Sequence, residues 1–111
     1  MDEMRQRKEK LSSDMKQIKI EAKENAVRKD EFLEFSKQSQ LFSEEMTLYL
    51  KGSRDSKRVE NLMDEQKQLT KTIKKQLADI ENELEFKRKK LLLEKEELNQ
   101  LHHKKEDLDE H

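Results

Sequence analysis

Residues 77–101 read LADIENELEFKRKKLLLEKEELNQL, with apolar side chains at Leu77, Ile80, Leu84, Leu91, Leu98 and Leu101. Alternating steps of three and four are the heptad of a coiled-coil helix, a segment that must lay one stripe against another helix. Lys87 and Glu94 occupy the seam between the leucines, where long stems can lie along the apolar stripe while the charged heads stay in water. They weaken and specify the pairing without abolishing it.

Toward the C-terminus the seam continues through Lys105 to Leu108. Toward the N-terminus Val59, Leu62, Gln66, Leu69 and Ile73 share one register, and the step of four from Ile73 to Leu77 reads as a stutter that locally unwinds a supercoil. The expected oligomer seam is therefore Leu62, Leu69, Ile73, Leu77, Ile80, Leu84, Leu91, Leu98, Leu101 and Leu108. Exposed pairs four apart, Glu83 with Lys87 and Glu85 with Lys89, support the helix by about 0.2–0.5 kcal/mol each.

The first half carries a weaker seam. Met4, Leu11, Met15, Ile18 and Ala22 keep the heptad, after which Asn25 and Lys29 put polar groups where apolar ones belong, a device that fixes register at a cost in stability. From Phe32 the pattern broadens into Phe32, Phe35, Leu41, Phe42, Met46, Leu48 and Tyr49, a segment holding three of the four phenylalanines and the one tyrosine. Phe35, Ser39, Phe42, Met46 and Tyr49 keep the steps, but three residues out of register with Phe32, which predicts a local overwinding. More than one helical face is apolar here, so more than one neighbour, or a folded-back helix, is required. These seven residues are the candidate partner-docking surface.

The one glycine lies in Lys51-Gly52-Ser53-Arg54-Asp55-Ser56. A basic residue in the last turn, a glycine past it and a Ser or Asp able to cap the next helix form a stop-and-restart signal. The expected organisation is a first long helix over 1–50, a break or hairpin turn over 51–56, and a second coiled-coil helix over 57–111 with a fraying tail. At 1.5 Å per residue each half spans on the order of 75–85 Å.

Composition agrees with an all-α, coiled-coil fold. Of 111 residues, 46% are charged and 31% hydrophobic, too few apolar groups for a roughly spherical core. Disorder would favour an unbalanced charge, yet 25 Lys and Arg offset 26 Asp and Glu to leave a net charge of -1. Proline is absent, so helix can run nearly end to end. Cysteine is absent too, which excludes disulfides and thiolate metal sites and suits a cytoplasmic setting. No run approaches the roughly 18 apolar residues of a membrane span, and no signal-peptide core is seen.

Chemistry finds little foothold. His103, Asp107 and His111 are spaced to line one helical face as metal ligands would, but in so charged a tail the reading is a solvated surface, with no metal or cofactor expected. The basic run Lys87-Arg88-Lys89-Lys90, with Lys74-Lys75, is embedded in acids, so no broad positive field for nucleic acid or anionic lipid survives. Of such ligands an acidic filament such as a microtubule suits a rod best. No phosphate loop, nucleophile arrangement or enclosing pocket is present, so no enzyme, small-molecule substrate or membrane partner is expected.

Arg28-Lys29-Asp30-Glu31-Phe32, then Leu48-Tyr49-Leu50-Lys51 and Ser56-Lys57-Arg58, resemble the shared domain of ciliary and flagellar coiled-coil proteins of the modifier-of-inner-arms type. In that family an Arg/Glu-rich helix leads to a Phe-x-x-Phe-Leu-Lys motif and a long charged helix; this chain has Met46 and Tyr49 where the motif has Phe. The resemblance implies an axonemal scaffold that pairs with a related coiled-coil subunit on microtubules. The expectation from the residues is coarser: a cytoskeleton-associated scaffold or adaptor that homo- or heterodimerises through its seam. The alternative is a helical-hairpin regulatory module that clamps a partner helix with its Phe/Leu-rich face.

Overall fold

A computed structural model of the chain describes residues 2–109, with side chains described for residues 2–106. Two helices account for nearly all of it: α1, Asp2–Tyr49, of 48 residues, and α2, Ser56–Asp109, of 54. No strand occurs among the described residues. The fold is all-α, as the heptads and the missing proline require, and α1 opens with Asp2 and Glu3, acids that suit a helix N-terminus. No helix among the described residues is long and apolar enough to cross a membrane.

The break spans residues 50–55, one position earlier than the sequence signal suggests. Leu50 N still donates to Met46 O at 2.9 Å, and Ser53 N then donates to Leu50 O at 2.9 Å, closing a four-residue turn. Gly52 sits third in that turn with φ of 79°, the left-handed conformation a side chain resists by about 1–2 kcal/mol. Asp55 O then accepts from Val59 N at 3.0 Å, the first bond of the new helix.

The chain divides into two compact units that cut across the helices instead of separating at the turn. Unit 1 joins Met1–Glu24 to Glu81–His111, and unit 2 is the continuous hairpin Asn25–Ile80. Unit 1 is an antiparallel helix pair. Met4 shares a groove with Lys105 near one end, while further along Leu11 and Ile18 share one with Leu91 and Leu98. Leu11, Leu84 and Leu98 are the three buried apolar side chains described, and Leu91 is half-buried beside them in sequence. A two-helix pair buries only its seam, so a thin core is the physical consequence.

Unit 2 is ordered differently. Its half-buried positions are Phe32, Ser36, Ser39, Ser43, Met46 and Thr47 on α1, Leu50 in the turn, and Ser56, Val59, Met63, Gln66, Thr70, Ile73 and Leu77 on α2. Apart from Thr47, which flanks the seam, both runs step by four and three. The slip expected after Phe32 and the stutter expected at Ile73 do not occur; Ser36 and Ser43 hold the seam in place of Phe35 and Phe42, and Met63 and Thr70 in place of Leu62 and Leu69. The reason is non-local. Across the helix pair Ser43 Oγ donates to Gln66 Oε1 at 3.0 Å and Thr47 Oγ1 lies 2.9 Å from Met63 Sδ, while the same hydroxyl donates to Ser43 O one turn back at 2.8 Å. Asn25, 6% exposed, directs Nδ2 to Leu77 O at 3.5 Å. No buried side-chain polar atom is left without a partner among the described residues.

Candidate docking surface

A polar seam displaces the large apolar side chains of unit 2 outward. With α1 seam positions at 32, 36, 39 and 43, Phe35, Phe42 and Tyr49 each precede a seam residue by one, the position named g in a heptad. Leu62 and Leu69 precede Met63 and Thr70 on α2 in the same way. In an antiparallel pair the g positions of both helices lie on one flank and the e positions on the other. The groove on the e flank is lined by Gln40, Lys67, Gln68, Lys71 and Lys74 together with seam residues, so lysines border that side. The g flank is the apolar one.

Exposure follows this geometry. Phe35 is 66% exposed, Phe42 63% and Tyr49 85%, while Leu62 and Leu69 are both more than half exposed. The Ser43–Gln66 and Thr47–Met63 contacts set the level of one helix against the other, and in that register heptad geometry puts Tyr49 level with Leu62, Phe42 with Leu69 and Phe35 with Gln76. Leu41 and Leu48 are also exposed, one residue before Phe42 and Tyr49 and so about 100° around the helix. Of the seven candidate docking residues, then, Phe35, Leu41, Phe42, Leu48 and Tyr49 face water, whereas Phe32 and Met46 belong to the seam of unit 2. A large side chain of this kind gains about 1.5–3 kcal/mol on full burial. The five g-flank side chains, Phe35, Phe42, Tyr49, Leu62 and Leu69, therefore hold on the order of 10 kcal/mol of unrealised transfer energy, concentrated in a patch of the kind that marks interaction sites.

The residues expected to form the oligomer seam separate by exposure. Leu84 and Leu98 are buried and Leu91 half-buried in unit 1, and Ile73 and Leu77 are half-buried in unit 2. Leu62, Leu69, Ile80 and Leu101 are exposed. Leu108 lies outside the described side chains. Sequence reasoning passed over Phe86 and Leu93, seven apart on α2 in unit 1 and both exposed. It also passed over Ser36, Ser43, Met63 and Thr70. Stepping four and three from Phe32 and from Leu77 without permitting a slip would have found the last four.

The charged groups behave as solvated helix flanks. Lys87 Nζ lies 3.6 Å from Glu83, but Glu85 pairs with Arg88 instead of Lys89, accepting from Nη2 at 2.6 Å and Nε at 3.0 Å. That hydrogen bond holds the Glu85 carboxyl below its ordinary value, and both side chains remain about half exposed, where such pairs contribute little to stability. His102 Nε2 lies 2.9 Å from Glu106 and His103 Nδ1 3.8 Å from the same carboxylate. No cluster of three metal-ligating side chains exists among the described residues, and the Asp107 and His111 side chains lie outside them.

Compared with known proteins, the chain matches no protein-family model, no curated protein and no solved structure.

Proposed function

We propose that the chain is a non-catalytic helical docking module, whose seams hold its own helices together and whose Phe/Leu-rich flank in unit 2 receives a helical partner. One observation carries the reading. Small polar residues, Ser36, Ser39, Ser43 and Thr70, occupy the seam of unit 2 while Phe35, Phe42, Tyr49, Leu62 and Leu69 stand in water. A helix pair optimised for its own stability places these groups the other way round. An apolar flank of aromatic and leucine side chains is suited to recognising an amphipathic helix. The module thereby serves as a scaffold or adaptor, and the resemblance to axonemal coiled coils is what would make that assembly cytoskeletal.

The test is site-specific photocrosslinking in an extract of the source cells. A benzophenone side chain at Phe42 or Tyr49 is expected to yield discrete protein adducts, and the same group at Lys74 on the basic flank is not. Equal yields from both flanks, or none from Phe42 and Tyr49, would contradict the proposal.

A further inference from the structure

Resting on that reading, we infer that the occupant of the flank is a second copy of this chain, packed antiparallel about a two-fold axis level with Phe42 and Leu69. Charge at the edge of the flank carries the argument. The exposed heptad positions bordering it, named c, hold Glu31, Gln38 and Glu45 on α1 and Arg58, Glu65, Thr72 and Asp79 on α2.

Two copies can meet flank to flank along two symmetric directions. With the two-fold axis along the helices, α1 lies over α2 of the other copy, bringing Glu45 to Glu65 and Glu31 to Asp79. Those are like charges, each made twice. With the axis across the helices, each helix lies over its own equivalent. Arg58 then meets Asp79, Glu65 meets Thr72, and Glu45 meets Gln38, with no like-charge pair at the rim. Phe42 packs on Phe42 and Phe35 on Tyr49. The surface is self-complementary in this direction, the requirement for a closed two-fold interface, and unlike rim charges also suppress the wrong orientation. The result is an antiparallel four-helix arrangement in which Arg58–Asp79 pairs border the aromatic core along the α2 edge and charged residues meet neutral ones along the α1 edge.

Size agrees as well. The five flank side chains expose on the order of 700 Å² per copy, close to the roughly 800 Å² per partner of a stable interface. A partner helix with basic edges would also match parts of this rim, and the experiment separates the two.

Arg58→Cys and Asp79→Cys are introduced together. The two residues are on one helix about 31 Å apart, at 1.5 Å per residue, so a disulfide, which needs Cα atoms within about 7 Å, forms only between copies. Mild oxidation should give a covalent dimer of twice 13.5 kDa, whereas cysteines at Glu45 and Glu65, which mark the other orientation, should give far less. Sedimentation equilibrium supplies a second readout. The native chain should be a dimer, Phe42→Asp a monomer of unchanged helicity, and Arg58→Asp weakened about tenfold with recovery on adding Asp79→Arg. A native chain monomeric at tens of micromolar, or a dimer cross-linked at 45 and 65 but not at 58 and 79, would overturn the inference. Monomeric chain whose flank still crosslinks a different protein at Tyr49 would overturn the second copy and leave the docking module standing.

Discussion

Leu98→Asp is expected to open unit 1, at a cost of about 3 kcal/mol or more. Leu98 is the most buried apolar side chain described, 4% exposed, and with Leu11 it borders the grooves on both flanks of that helix pair. Its removal loses the transfer energy of a buried leucine, about 1.5–3 kcal/mol. The carboxylate must then either sit unpaired among Leu11, Met15, Ile18 and Leu91 or swing toward Lys95 and lose the packing. A thin seam offers no second layer to absorb either outcome. Circular dichroism should show a large loss of helix, and proteolysis should reach residues 81–106. Leu93→Asp supplies the control: it stands on the same helix, 62% exposed, and should change stability by no more than about 0.5 kcal/mol. Equal effects at the two positions would mean that the seam is misassigned.

The second large effect runs in the opposite direction. Ser36→Leu, Ser43→Leu, Gln66→Leu and Thr70→Leu together should stabilise unit 2 by about 2–4 kcal/mol. Each site is half-buried, so each leucine contributes on the order of 1 kcal/mol, offset by loss of the Ser43–Gln66 hydrogen bond, worth about 1 kcal/mol net. Ser43→Leu alone should gain little, because it leaves Gln66 Oε1 without the hydroxyl that donates to it. Phe35→Ser with Phe42→Ser should scarcely move the melting point of dilute chain. Buried phenylalanines would cost about 3–5 kcal/mol each on such truncation. Thermal melts of the two sets therefore decide which residues form the seam.

These variants also show how far the sequence was legible. Leu84, Leu91 and Leu98 declare a heptad by spacing alone, and Gly52 with no proline elsewhere fixes two long helices and one turn. Asn25 was legible as a polar seam residue because it continues the heptad of Leu11 and Ile18. The aromatic segment stands out in the sequence by composition, but which of its faces turns inward does not. Phe35, Phe42 and Tyr49 imitate a seam, stepping by seven with Ser39 and Met46 between them, and Leu62 and Leu69 do the same on α2. Hydrophobicity favours that register. The pairing of Ser43 with Gln66 and of Thr47 with Met63 favours the other, and it depends on residues 16 and 23 positions apart that no local pattern connects. What covers the flank is further still from local reading, since it is set by the symmetry of rim charges.

The central claim is that the chain folds back on itself, spending its seams internally and leaving the flank for others. Spin labels at Ser12 and Asn99, exposed residues lining one groove of unit 1, test it most directly when the labelled chain is diluted into an excess of unlabelled chain. Packed helices lie about 8–10 Å apart, so pulsed dipolar spectroscopy should return a single distance below about 25 Å once label arms are included. A continuous helix would separate the same residues by about 130 Å at 1.5 Å per residue, beyond detection, and an absent short distance would contradict the account.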